Sequence, residues 1–239
     1  VIRHVKITAH MATPLAGPEL PYLDAICEAA MVRHKSWRDH PSGRHRVSRK
    51  ERGANVPVAD IGRIPTPIAK RFVCNLPIPR CSSAIADEVK HDEHQHVTSA
   101  WPVSRAPLLS ERERIKITAG GGRFKSFRLP LRTRLISRLV WFAAIKEQPS
   151  RLRMLLRNRV RAIGKKTADG YGVVSRWEVD TIASDWSWFA ESGNGPVLMR
   201  PLPVDADLPD GLIGARCDFG GCCPPYWQQN IWREIVVPC

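Results

Sequence analysis

Acidic side chains are in short supply. Asp and Glu number 23 against 37 Lys and Arg, which leaves a formal net charge of +14 and a pI near 10.0. Such a surplus repels itself within a compact chain and attracts polyanions, so nucleic acid or an anionic membrane surface is the expected partner. Long apolar runs are missing as well. The longest, Leu139 to Ile145, falls far short of the roughly 20 residues that a spanning helix needs, and nothing resembles a secretory signal. No G-x-S-x-G, no H-E-x-x-H and no recognisable pair of carboxylates occurs, so no motif compels catalysis. No cofactor is expected, and there is no internal repeat.

What remains is an ordinary globular composition, 43% apolar and 25% charged over 239 residues, enough for one large or two small domains with a proper core. The charge is unevenly spread. Between Arg123 and Lys166 there are 14 Lys or Arg and one acid, Glu147. A second basic run extends from Arg33 to Arg52, whereas Trp177 to Cys239 is acidic overall. This split suggests a polyanion-binding face and a separate surface for protein neighbours, although solvated charged faces would give the same pattern.

Hydrophobic periodicity supplies the elements. Residues 3–12 read as a strand, and 21–34 as a helix carrying Leu23, Ile26, Ala30 and Met31 on one stripe. Residues 38–118, punctuated by proline, read as an inserted β-rich arm that opens with a polar loop, 38–55. Residues 124–131 and 135–144 are expected to be strands meeting at a turn around Arg132 and Thr133. A helix capped by Ser150 follows, with Leu152, Leu155, Leu156, Val160 and Ile163 on one face and Gly164 as its stop. Residues 173–183 are a strong strand and 231–237 a late one. The skeleton is βαββαβ, which makes the fold class α+β and ferredoxin-like (RRM-like), with a β-rich insertion. The domain is expected over 1–190, followed by an irregular C-terminal extension, 191–239.

The most informative segment is IGKKTADGYGVV, residues 163–174. Gly164, Gly170 and Gly172 let backbone N–H groups approach a phosphate closely, Lys165 and Lys166 add charge, and Tyr171 offers a face for base stacking. It follows a helix and precedes a strand, so it is not a Walker loop. An ordinary glycine-rich turn would have the same composition.

Placed there, the loop resembles the glycine-rich loop of the RAMP superfamily of CRISPR-associated proteins. Further stretches resemble one member, the Cas-five-like subunit of type IV effector complexes: KITAHMATPL followed by LDAI (6–15, 23–26), GGRFKSFRLPL (121–131), and GYGVVSRWEV with DWSW (170–179, 185–188). The loop departs from the usual Gly-apolar-Gly opening, because Lys165 follows Gly164. The resemblance implies a cytoplasmic, non-catalytic subunit that binds the 5′ handle of a crRNA. It would cap a filament of backbone RAMP subunits, alongside a large subunit and a crRNA endonuclease, and meet target nucleic acid through that complex. It also implies RNA contacts from Lys165, Lys166 and Tyr171 in the loop and from Arg123, Lys125 and Arg128 beside it, with Trp37 and Arg38, just after the first helix, as further candidates.

Three other features stay open. His91, His94 and His96 cluster in KHDEHQH, where a general base or a metal ligand could sit, but a solvated turn fits equally. A crRNA-processing endonuclease is therefore the first alternative, and a generic basic RNA-binding protein the second. Trp186 and Trp188 would stack bases, seat a neighbour or pack into the core. Cys217, Cys222, Cys223 and Cys239 have a C-x4-C-C spacing that suits zinc poorly, so no metal is assigned.

Overall fold

The computed structural model describes residues 1–17, 19–38, 66–73, 76–87, 89–99, 127–224, 226 and 229–238. The chain runs β1 (Arg3–Met11), β2 (Leu15–Ala16), α1 (Leu23–Arg38), β3 (Lys70–Val73), β4 (Leu76–Pro79), β5 (Ile85–Ala86), β6 (Val89–Ser99), β7 (Phe127–Ile136), β8 (Arg138–Ile145), α2 (Pro149–Arg159) and β9 (Val174–Ile182). The tail adds β10 (Phe189–Ser192), β11 (Gly195–Leu198), β12 (Leu202–Pro203), β13 (Ala215–Gly220) and β14 (Arg233–Pro238).

A four-stranded sheet in the order β5-β8-β1-β9, antiparallel throughout, forms the centre. Alternation along β1 puts Val5, Ile7 and Ala9 on one face, opposite Ala143, Trp141 and Leu139 of β8. Both helices lie on that face, α1 through Leu23, Cys27 and Ala30 and α2 through Leu152 and Leu156, all within one buried cluster. Trp141 and Trp177 stack there with centroids 6.0 Å apart. Each indole N–H finds a carbonyl, Pro21 at 3.0 Å before α1 and Val160 at 2.9 Å after α2, so the rings also fix where the helices begin and end.

Helix α2 is shorter than its apolar stripe suggests. Gln148 occupies the N-cap, Pro149 the first turn and Val160 the C-cap, so Ser150 is not the cap and Gly164 is not the stop. Val160 and Ile163 still face the core, but from irregular backbone, which is why periodicity overran the helix. The turn expected at Arg132 and Thr133 lies instead at Ser137. Both residues stay within β7, held by Arg132 Nε to Asp92 Oδ1 at 2.9 Å and by the Thr133 hydroxyl to the Glu93 carbonyl at 3.3 Å.

The expected insertion is two pieces rather than one. β5 belongs to the central sheet, so the chain leaves it once between α1 and β5, as the β3–β4 hairpin, and again between β5 and β8, as the β6–β7 ribbon. Residues 39–65 and 100–126, including Arg123 and Lys125, lie outside the described residues. The tail is not irregular either. Its strands are two to six residues long, too short for periodicity to reveal, and they form β12-β14-β13 and β10-β11. The expected boundary at 190 cuts through β10.

The tail does not stand alone. Leu198, Leu202, Ile235 and Val236 share a buried cluster with Ile78 of β4 and with Trp188, whose indole donates to the Pro79 carbonyl at 2.9 Å. A polar clamp reinforces this joint. Arg200, fully buried, donates to the carbonyls of Pro79 (2.7 Å), Cys81 (3.0 Å) and Cys222 (2.8 Å) and to the Tyr226 hydroxyl (3.0 Å). Tyr226 donates in turn to Asp24 Oδ2 at 2.5 Å, and its ring stacks on Tyr22 with centroids 4.3 Å apart. The guanidinium therefore ties α1, the end of β4 and the tail together.

Glu28, on α1, is a buried carboxylate. Burial pushes its pKa up to about 7, against the lowering influence of Lys70, whose Nζ is 3.9 Å away. A raised acid pKa means that the folded state holds the proton more tightly than the unfolded chain. Stability should therefore fall as pH rises from the ordinary carboxylate range to about 7, then level off. Urea titrations between pH 5 and 8 should show this decline in the parent and a flatter profile in Glu28→Gln.

Candidate nucleic-acid interface

The loop after α2 is closed at its neck and tied down along one side. At the neck, Ile163 N–H donates to the Gly172 carbonyl at 2.9 Å and Val174 N–H to the Arg161 carbonyl at 2.9 Å. Along the side it rests on the β1–β2 connection. Lys165 N–H donates to the Ala16 carbonyl and Gly172 N–H to the Pro14 carbonyl, each at 2.8 Å. Thr13 joins the two segments twice, its hydroxyl donating to the Gly170 carbonyl (2.8 Å) and accepting from Val173 N–H (2.9 Å). This seat belongs to the stretch KITAHMATPL, so two of the motifs read separately in the sequence meet in space.

The three glycines divide by role. A Cβ on Gly172, at φ +67, would stand 1.8 Å from the Ile163 carbonyl oxygen, and one on Gly164, at φ +85, would stand 2.7 Å from Leu15 Cδ1. Both are glycines because the loop packs tightly on its own chain. The Gly172 amide is engaged by the Pro14 carbonyl. Gly170, at φ +90, donates its N–H to the Thr167 carbonyl at 3.3 Å, but it is exposed and a Cβ added there would meet nothing within 4 Å, so it is the glycine with open space on its Cα side.

The lysines also divide. Lys165 is exposed, its stem lying near Gly17, and it makes no ion pair among the described residues. Lys166 sits in left-handed backbone at φ 56, with its Nζ 3.2 Å from Asp169 Oδ2. Tyr171 is half-buried beside them. Trp37 and Arg38 do not follow the first helix but form its last turn, and Arg128 lies on β7 opposite Thr98.

Arg151, Arg153, Arg157, Arg159 and Arg161 are all exposed, and none is ion-paired among the described residues. Helix α2 contains no acid, so its four arginines have no acidic partner within the helix. No protein-family model and no curated protein matches this sequence.

The sheet face turned away from the helices carries a pair of aromatic rings, one buried and one half-exposed. Phe142 is buried there and meets half-exposed Trp186 in a T-shaped contact, with centroids 4.9 Å apart. Trp188 is a core residue, as its carbonyl contact indicates. The face does carry a group that sequence reasoning missed. His10 Nε2 lies 3.0 Å from Glu178 Oε2, and Arg176 pairs with the same carboxylate. The hydrogen bond from His10 lowers the Glu178 pKa. Register alone brings them together, since His10 pairs with Arg176 across the ladder. By contrast, His91, His94 and His96 lie along β6 at positions paired with Leu135, Arg132 and Pro130 of β7. His91 pairs with exposed Glu93 at 3.4 Å.

Among the described residues no cluster of three His, Cys, Asp or Glu could hold a metal. Cys217 is exposed, Cys222 and Cys223 are buried, and Cys239 lies outside the described residues. The hydrogen bond from Cys223, assisted by Arg200, draws the Cys222 thiol down to about 7 and leaves Cys223 raised. No helix among the described residues is long and apolar enough to cross a membrane.

Proposed function

We propose that the chain is a non-catalytic RNA-binding subunit with a ferredoxin-like RAMP domain, which grips the 5′ handle of a crRNA and caps a type IV CRISPR effector complex in the cytoplasm. The single observation that carries the RNA-binding part is the braced loop 163–172. It presents exposed Lys165 and open Gly170 from a seat that hydrogen bonds hold to the chain's first connection and to its own neck. The sheet order β5-β8-β1-β9 supports the fold, because it puts the first and third core strands in the middle and makes every neighbour antiparallel. On this reading the partners are crRNA, a backbone RAMP subunit, a large subunit and a crRNA endonuclease, with target nucleic acid reached through the complex.

The test is to express the chain with its neighbouring subunits, purify the assembly and sequence the RNA that accompanies it. One RNA with a fixed, protected 5′ end is expected. Lys165→Ala with Lys166→Ala should reduce capture of that end at least tenfold, because two phosphate contacts are lost. Mixed RNA that is indifferent to both changes would leave a generic basic protein.

The pairing of His10 with Glu178 beside Arg176 favours one second reading, an RNA endonuclease. A carboxylate-oriented imidazole moves protons, and a guanidinium steadies a phosphorane. On that reading the isolated chain cleaves precursor RNA, and His10→Ala abolishes cleavage while sparing binding.

A further inference from the structure

Two clefts line the seam between the helices. One, of about 550 Å³, lies between the first half of α1 and the loop and is bordered by Ile26, Ala29, Arg159, Ile163 and Lys165. The other, of about 290 Å³, lies further along α2 and is bordered by Met31, Arg151, Leu155 and Arg159. Arg159 borders both, so the two lie end to end along this seam, which we call the furrow, from the glycine-rich loop towards the start of α2. Its walls are largely apolar. Its cations come in order, Lys165 at the loop, Arg159 midway and Arg151 at the far end. All three are exposed, and none is ion-paired among the described residues. Among the described residues, acids border it near the ends, as Glu19 and Glu147.

We propose that this furrow carries the single-stranded RNA that leaves the glycine-rich loop, with the phosphates on Lys165, Arg159 and Arg151 and the ribose and base faces against the apolar walls. The proposal rests on the RNA-binding reading and adds a route to it. Charge complementarity selects the occupant. Three unpartnered cations along an apolar seam suit a polyanion with apolar faces, which describes a nucleic acid strand better than an acidic peptide. Eight residues of helix separate Arg151 from Arg159, a rise of about 12 Å, room for a pair of phosphate steps along a strand. A duplex is too broad to enter a seam between packed helices, so single strands are preferred.

Helix α2 provides its own control. Arg153 and Arg157 lie on the other flank of the same helix, away from both clefts, and removing them changes the net charge equally. The experiment measures binding of a fluorescein-labelled single-stranded RNA of mixed sequence to the full chain across a salt series. It compares the parent, Arg151→Gln with Arg159→Gln, and Arg153→Gln with Arg157→Gln. The furrow pair should lose about tenfold or more in affinity, with the salt slope falling by about 1.4, since each single-strand phosphate contact accounts for about 0.7. The flank pair should keep the parent slope. Photocrosslinks from 4-thiouridine in the bound RNA should map to α1 and α2. Equal losses in the two pairs would overturn the route and leave diffuse attraction with the RNA-binding reading intact, as would crosslinks confined to the sheet face. A parent chain that binds no RNA would overturn the reading itself. Tighter binding of an acidic peptide than of RNA, lost in the furrow pair, would give the furrow to a protein partner and overturn the proposal.

Discussion

Arg200→Met is expected to lower the unfolding free energy by about 3–5 kcal/mol, the usual cost of removing one partner from a buried charged cluster. The guanidinium is fully buried and answers three carbonyls, the Tyr226 hydroxyl and, at 4.0 Å, the Asp24 carboxylate. Methionine fills much of the volume but satisfies none of these acceptors, and Asp24 is left as a buried anion with Tyr226 as its remaining strong donor. Since a domain is stable by roughly 5–15 kcal/mol, such a loss is a large fraction of the total. Urea titration followed by tryptophan fluorescence reads it directly, because Trp188 belongs to the cluster that Arg200 closes. Tyr226→Phe should also destabilise, by about 1.5–3 kcal/mol for each of the two hydrogen bonds to charged groups that it removes, the one accepted from Arg200 and the one donated to Asp24. Arg200→Met combined with Asp24→Asn should recover part of the loss, because the orphaned charge goes with its partner. If Arg200→Met unfolded at the parent's midpoint, the clamp would contribute nothing, and the tail would be held by apolar contacts alone.

That clamp also marks where sequence reasoning stops. Strands β1, β8 and β9 of the central sheet and both helices were legible because each is long enough to repeat an apolar residue several times, as Val5, Ile7 and Ala9 do on β1, whereas the two-residue β5 repeats nothing. Short tail strands such as Leu202–Pro203 repeat nothing, and a single arginine in an acidic stretch carries no sign that it is buried. The loop was legible in composition but not in mechanism. Three glycines in ten residues suggested an open phosphate cradle, whereas packing against Leu15, Ala16 and Ile163 accounts for Gly164 and Gly172. The meeting of His10 with Glu178 was hidden for another reason. It depends on the register between strands far apart in the sequence, and that register follows from which faces are buried rather than from any local motif.

Glycine substitutions in the loop separate fold from function. Gly172→Ala is expected to be the most damaging change there. Its Cβ would overlap the Ile163 carbonyl oxygen at 1.8 Å, so the backbone has to move. Movement breaks the bond from Ile163 N–H to the Gly172 carbonyl and the bond from Gly172 N–H to the Pro14 carbonyl, which together contribute about 2 kcal/mol. Left-handed backbone adds about 1–2 kcal/mol for a residue with a Cβ. Gly164→Ala should follow, since Leu15 can shift but the Ala16 carbonyl, 2.8 Å from the added carbon, cannot shift without disturbing the strand pair with β7. Gly170→Ala should cost only the backbone term, about 1 kcal/mol, because nothing lies near its Cβ. Thermal unfolding therefore orders the three as 172, 164, 170, from most to least damaging. RNA affinity need not follow that order. A methyl group on Gly170 stands where a phosphate would approach, so Gly170→Ala should weaken binding out of proportion to its small effect on stability, whereas a loop that is only structural would lose binding in step with its unfolding. Unchanged affinity in Gly170→Ala would leave Lys165 as the loop's contribution and move the phosphate contact to its side chain.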